Sequence, residues 1–99
     1  GTDADKLVRV EVLLKANQCI NGDRDLKYGT PENSFNIIAG LWSTFLEIPI
    51  TPHEAAIMMA LFKIARIKTG ANKEDNFVDL AGYAAVAAEL SLSSEVGEW

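Results

Sequence analysis

The sequence predicts an all-α fold, a single bundle-like domain of four helices that covers residues 1–99. Apolar residues recur at helical spacing in several segments. Capping and turn residues separate these segments, and no period-2 alternation is long enough to indicate a sheet. A length of 99 residues is typical of one domain, and 48% apolar with 23% charged residues is typical of a soluble globular protein.

The first helix is predicted at about 5–20. Its apolar stripe is approximate and consists of Leu7, Val10, Leu14 and Cys19. Because Cys19 lies in that stripe, we expect it to be a small core residue. Asn21-Gly22 then ends the helix with a strong turn signal.

The second helix is predicted at about 32–46, after Gly29 and Pro31, which favour a turn and a helix start. Two apolar stripes run along it, and they predict burial on more than one side. The main stripe is Phe35, Ile38, Trp42 and Phe45, and the second is Ile37 and Leu41.

The third helix is predicted at 52–69. Thr51, Pro52 and Glu54 have the spacing of an N-cap, an N1 proline and the N3 residue of a capping box. No polar side chain occurs from 55 to 62, and Gly70 is a suitable residue to follow the helix. His53 is expected to be exposed at the helix start.

The fourth helix is predicted at about 76–90, with Asp75 as its N-cap and a frayed tail beyond Leu90. Like the third helix, it is apolar on nearly every side after its first turn. Such helices must be covered on most sides, and a four-helix domain of 99 residues has few central positions. We therefore expect a homo-oligomer.

Composition excludes several classes of function. The net charge of −5 argues against non-specific binding to nucleic acid or to a membrane surface. One cysteine cannot form an internal disulfide, and one histidine with it makes a zinc site improbable. No signal peptide or membrane span is visible, so we expect a cytoplasmic protein.

The stretch "KEDNFVDLAGY" contains the main candidate for a functional site. Asp75 and Asp79 are four residues apart and share a helix face. If helices three and four form an antiparallel pair, Lys63 and Arg66 come level with Asp79, and Tyr83 lies one turn further along. One interpretation, which spacing alone favours, is a structural ion cluster. The other is a pocket in which the cations bind phosphate and the carboxylates hold Mg²⁺.

A second candidate patch is the loop "GDRDLKYG" before helix two. Arg24 and Tyr28 could meet an anionic or aromatic ligand there, because loops on rigid scaffolds often carry binding residues. The alternative is a solvated turn in which Tyr28 packs on the helices. Glu54 is explained fully by its capping position.

Three segments carry a resemblance to a known family: "NGDRDLKYGTPENSFNIIAGLW", "ITPHEAAIMMALFKIARI" and "DNFVDLAGYAA". Together they resemble an uncharacterised family encoded by phages and prophages, over nearly the whole chain. This likeness implies a protein of a bacterial or phage-infected cell, and it implies no activity.

A more distant resemblance is to the all-α nucleoside triphosphate pyrophosphohydrolases of the MazG and dimeric dUTPase type. "DNFVDLAGY" is similar to their Glu-x-x-Asp motif, with Asp79 at its Asp and Asn76 at its Glu. Their Glu-Glu-x-x-Glu motif is absent, since helix three offers Glu54 and then Lys63 and Arg66. The resemblance implies a helical, oligomeric, Mg²⁺-dependent protein that acts on nucleotides.

Two functional hypotheses follow. In the first, the protein binds a nucleotide or a related phosphorylated small molecule, with or without hydrolysis. Asp75 and Asp79 would hold Mg²⁺, Lys63 and Arg66 the phosphate, and Arg24, Tyr28 and Tyr83 the rest of the ligand. In the second, the protein is a non-catalytic helical interaction or accessory protein whose charged cluster is structural.

Overall fold

Four α-helices make up the described part of the chain. The computed structural model describes residues 3–21, 31–70 and 73–98, and no strand occurs among them. The helices in chain order are α1 (Asp3–Asn21), α2 (Pro31–Leu46), α3 (Pro52–Lys68) and α4 (Glu74–Glu98). The predicted all-α, four-helix fold is confirmed.

The last helix, α4, is the centre of the fold. It pairs most extensively with α3, α1 packs on it separately, and α2 packs on α3 with a smaller contact to α4. The buried cluster between α2, α3 and α4 is rich in alanine, and consists of Phe35, Ala39, Ala55, Ala56, Val86 and Ala87. Small side chains let the helix backbones approach closely, so the α3–α4 pair has a well-defined register.

The start of α3 has the predicted capping box. The Thr51 hydroxyl accepts from the Glu54 backbone N–H at 3.1 Å, and the Glu54 carboxylate accepts from the Thr51 N–H at 2.9 Å. Such a cap contributes about 1 kcal/mol to stability. At the other end, Gly70 has φ of +103°, as expected of a residue that follows a helix and turns the chain.

Ser43 fixes the short connection between α2 and α3. Its hydroxyl accepts from the Ile50 N–H at 2.8 Å and lies 2.7 Å from the Ala39 carbonyl, to which it donates. Within the same connection Glu47 adopts a positive φ of 59°, a conformation that most side chains avoid. The Ser43 hydroxyl therefore replaces the backbone partner that Ile50 lacks outside a helix.

The contact of α1 with α4 combines packing and charge. Ala16 is buried and Ile20 packs against the core cluster, while Lys15 hydrogen-bonds Glu74 at the start of α4 and lies 3.3 Å from Glu11. The hydrogen bonds to Glu74, and then to Glu11, raise the pKa of the Lys15 ammonium.

The predicted burial of α2 on more than one side is wrong, since Ile37 and Leu41 of its second stripe are exposed. Three expectations about single residues are also wrong. Cys19 is exposed, because α1 packs on α4 through the side that carries Ala16 and Ile20. His53 is half-buried, and its ring Nδ1 lies 2.9 Å from the Ala87 carbonyl, so it ties the start of α3 to α4. Phe45 is 84% exposed, because α2 uses only one side to pack on its neighbours.

The bounds of α4 also differ from the prediction. The helix begins at Glu74, so Asp75 lies in its first turn and does not precede it as a cap. An acidic residue there is still favourable, since it faces the positive end of the helix dipole. The helix continues to Glu98 and not to about Leu90, because residues 91–96 contain no glycine or proline to end it.

None of the helices in the described ranges combines the length and the apolar character that crossing a membrane requires.

Replacement of Ser43 by alanine is expected to destabilise the fold by about 1–2 kcal/mol, because the half-buried Ile50 N–H loses its acceptor. Urea denaturation at one fixed protein concentration measures this. Thr44→Ala is the matched control, since the exposed Thr44 hydroxyl bonds only the Gly40 carbonyl of its own helix, at 3.0 Å. Equal effects of the two substitutions would contradict the role assigned to Ser43.

Candidate functional site

Of the four charged residues predicted to cluster across the α3–α4 hairpin, Lys63 and Asp79 form an ion pair. The Lys63 ammonium lies 2.9 Å from Asp79 Oδ2, and the two side chains are 16% and 32% exposed. Partial burial makes this pair stronger than a fully exposed one, because less water screens it. The pair thus satisfies both charges and fixes the register of the hairpin.

Arg66 lies one turn further along α3 and is exposed. Its Nε donates to the side-chain oxygen of Asn76 at 3.2 Å, and Asn76 is only 4% exposed. The buried Asn76 amide therefore orients the Arg66 guanidinium through the hydrogen bond at Nε. The two terminal nitrogens make no hydrogen bond with other described residues, so the part of Arg66 that best binds carboxylate or phosphate is available.

An exposed aromatic ring borders both cations. The centre of the Phe62 ring is 5.6 Å from the Lys63 ammonium and 5.9 Å from the Arg66 guanidinium carbon. Phe62 is 50% exposed. Both distances are within the range of cation–π attraction. The site thus combines an apolar ring surface with two positive charges.

Asp75 is the least constrained of the predicted site residues. It is exposed, one helical turn before Asp79, and forms no ion pair within the described ranges. Those ranges contain no group of three or more His, Cys, Asp or Glu side chains that could hold a metal ion. A metal site here would consist of Asp75 and Asp79 only, with water and ligand oxygens completing the coordination.

The other predicted ligand-binding residues are placed differently. Tyr83 is half-buried and packs edge-on against Phe35 of α2, with 6.1 Å between ring centres, so most of its ring belongs to the core. Arg24 and Tyr28 lie outside the described residues.

Sequence reasoning missed the contributions of Phe62 and Asn76. Phe62 ends an uncharged run and looks like one more core residue. Its position four residues before Arg66 was the available signal, since residues at this spacing share a helix face. The sequence identified Asn76 only as the position that matches the Glu of the Glu-x-x-Asp motif. Its burial against Arg66 depends on the packing of α3 on α4 and could not be inferred from the sequence.

Comparison with known proteins places the chain in a family. A family described as "Domain of unknown function (DUF6378)" matches residues 11–91. The chain belongs to this family. The matched range includes every residue of the charged site described above, so that site is part of the DUF6378 domain.

Two similar proteins come from mycobacteriophages. The DUF6378 chain is 36% identical over 87 residues to the Gene 55 protein of Mycobacterium phage L5, which covers 87% of this chain and 56% of that protein. It is 38% identical over 87 residues to the Gene 55 protein of Mycobacterium phage D29, which covers 88% of this chain and 58% of that protein. The chain thus spans little more than half the length of these curated relatives.

These similarities support the predicted uncharacterised phage family. No solved structure matches the chain. The resemblance to nucleoside triphosphate pyrophosphohydrolases rests on the motif around Asp79 alone and stays a prediction.

The coupling between Lys63 and Asp79 is measurable in a double-mutant cycle with Lys63→Met and Asp79→Asn. We expect a coupling free energy above the range of about 0.2–1 kcal/mol that is typical of exposed pairs, because both side chains are partly buried. Lys15→Met with Glu11→Gln on α1 is the comparison cycle for an exposed pair. A coupling no larger than in that cycle would contradict the structural importance of the Lys63–Asp79 pair.

Proposed function

We propose that this DUF6378 domain binds a phosphorylated small molecule of the nucleotide class on the α3–α4 hairpin. The main observation behind the proposal is that the buried Asn76 holds Arg66 at Nε, while the terminal nitrogens of this exposed residue make no hydrogen bond with the described residues. A guanidinium oriented in this way loses little side-chain entropy when it binds a phosphate through two parallel hydrogen bonds.

Lys63 supplies the second positive charge. It exchanges Asp79 for a phosphate oxygen when the ligand arrives, because both partners are anionic and lie within reach of the same ammonium. Asp75 and Asp79 would be the residues that hold one Mg²⁺ at this site. If the ligand is hydrolysed, the ion would supply the chemistry that activates a water for attack on the phosphate.

Phe62 gives the proposed site its preference for nucleotides. The ring is 50% exposed and is proposed as a stacking surface for a base, where stacking on an aromatic side chain contributes about 1–3 kcal/mol. Arg24 and Tyr28 close over the ligand in this proposal, which for them rests on the sequence pattern, and Tyr83 supports the site from the core side.

A second function has its own observation. Large apolar side chains are exposed on α1, α2 and α3, and the Lys63–Asp79 pair is already satisfied. These features favour a non-catalytic interaction protein that acts as a homo-oligomer, with the charged cluster as a structural element. The phage origin of the relatives supports action in the cytoplasm of a bacterial cell for either function.

A thermal-shift screen of ribo- and deoxynucleoside triphosphates, with and without MgCl₂, separates the two proposals. A ligand at about 100 times its dissociation constant adds roughly 2.7 kcal/mol of stability. We expect stabilisation by at least one nucleotide, and expect Asp79→Asn to remove its Mg²⁺ dependence. A flat response to all of them would support the interaction protein, and analysis of the products would reveal hydrolysis.

Arg66→Gln is expected to weaken binding of that nucleotide about tenfold or more, because a charge-assisted contact to phosphate is lost. Isothermal titration calorimetry measures the change. Arg9→Gln is the control, since Arg9 is an exposed cation on α1 and is not part of the proposed site. An equal loss in both variants would indicate non-specific attraction of anions.

Phe62→Leu is expected to weaken nucleotide binding by about tenfold, because stacking on the ring is lost. Binding of pyrophosphate, which has no base, should be unchanged in the same variant. Phe45→Leu removes an exposed ring from α2 and should affect neither ligand. A parallel loss of both ligands in Phe62→Leu would contradict a stacking role.

A further inference from the structure

The side of α3 that faces away from the core is apolar and uncovered. Five exposed residues recur along it at helical spacing, and we call them the outer face: Ile57, Met58, Leu61, Ile64 and Ala65. The opposite side of the same helix carries Ala56 and Ala60, which are buried in the core. α3 therefore has two apolar sides, and the described chain covers one of them.

Opposite charges stand at the two ends of the outer face. Glu54 lies seven residues before Leu61, and Lys68 lies seven residues after it, and both are exposed. Seven residues are nearly two helical turns, so the three side chains lie almost on one line, with each charge about 10 Å from Leu61. No other charged residue interrupts this line.

The outer face is complementary to itself when one copy is reversed. A two-fold axis at Leu61 places Ile57 opposite Ala65 of a second copy. The same axis places Met58 opposite the second copy's Ile64. At the ends, Glu54 of each copy meets Lys68 of the other. Every apolar residue thus meets an apolar residue, and every charge meets its opposite.

A parallel arrangement lacks this complementarity. It would bring the two Glu54 side chains together at one end and the two Lys68 side chains together at the other. The helix dipoles also favour the antiparallel arrangement, in which opposite ends are adjacent. The pattern of charges therefore selects one orientation.

The exposed area of the chain is consistent with an uncovered interface. The chain exposes 7214 Å². A folded monomer of 10.8 kDa is expected to expose roughly 5,500 Å², so the excess is roughly 1,700 Å². One partner contributes about 800 Å² to an interface of standard size. The excess is larger than one such contribution, and exposed apolar residues on all four helices, α3 among them, belong to the exposed surface.

We infer that two copies of this chain associate through the outer face of α3, antiparallel, with Leu61 at the two-fold axis and a Glu54–Lys68 ion pair at each end. The contact is isologous, so it closes after two copies and produces a dimer and no open filament. This interface specifies the proposed homo-oligomer, and it does not depend on the proposed nucleotide binding.

Site-specific crosslinking of the full chain tests the geometry. The exposed Cys19 is first replaced in a Cys19→Ser background. Leu61→Cys in that background should give a covalent dimer with a short bis-maleimide, because each Leu61 faces its counterpart. Phe45→Cys is the matched control, since Phe45 is highly exposed and lies off the outer face on α2. It should not crosslink under the same conditions.

Substitutions on the outer face test the energetics. Leu61→Glu should convert the dimer to a monomer in light scattering without unfolding it, because Leu61 is 57% exposed in the single chain. Lys68→Glu places like charges together at both ends and should raise the dimer dissociation constant about tenfold. The neutral double substitution Glu54→Gln with Lys68→Gln should raise the dimer dissociation constant less than Lys68→Glu does. Glutamine at position 54 still suits the capping box.

Two results would overturn the inference. One is a wild-type chain that stays monomeric in light scattering at micromolar concentration. The other is an oligomer in which Leu61→Cys crosslinks no better than Phe45→Cys, which would place the interface on another surface. Neither result affects the nucleotide titrations, so failure of this interface and failure of the proposed ligand binding are distinguishable.

Discussion

The close contact between α3 and α4 is the constraint on which the rest of the structure depends. Ala55 and Ala56 on α3 are completely buried, and Ala87 on α4 is nearly so. Alanines keep the two backbones close, and larger side chains would separate them. The hydrogen bond from His53 to the Ala87 carbonyl fixes one end of this contact, and the Lys63–Asp79 pair fixes the other. The register of the hairpin, and with it the whole charged site, follows from these contacts.

This arrangement separates the roles of the two central helices. α4 packs against both α3 and α1, and Val78, Val86 and Ala87 on it are buried, whereas Phe77 and Leu92 are exposed. α3 contacts α4 and α2 through one side only, and its other side is left for a second surface. A helix that is apolar on both sides needs a further partner, since water would otherwise meet an extended apolar stripe. The same helix thus contributes to the fold, to the charged site and to the inferred dimer contact.

The charged site is defined by how its groups are paired. Lys63 and Asp79 satisfy each other, which stabilises the hairpin but leaves them less available to a ligand. Arg66 differs, because the buried Asn76 engages only its Nε, and its terminal nitrogens make no hydrogen bond with the described residues, although the guanidinium carbon lies 5.9 Å from the Phe62 ring centre. Binding of an anion at Arg66 therefore breaks no existing pair, whereas binding of a metal at Asp79 requires Lys63 to move. For this reason Arg66 is the residue on which the proposed function mainly rests.

The sequence by itself determined the four helices and the capping box, because helical periodicity and cap geometry depend on neighbours a few residues apart. It also predicted that Lys63 would meet Asp79, since an antiparallel hairpin follows from the short loop. Only the tertiary structure decided which apolar stripes are covered. Phe35 and Phe45 belong to one stripe of α2, yet the first is buried and the second is exposed. Periodicity defines the side of a helix, but burial depends on which neighbour packs there. The roles of Asn76 and Phe62, the exposure of Cys19 and the uncovered side of α3 were decided in the same way, by contacts between helices far apart in sequence.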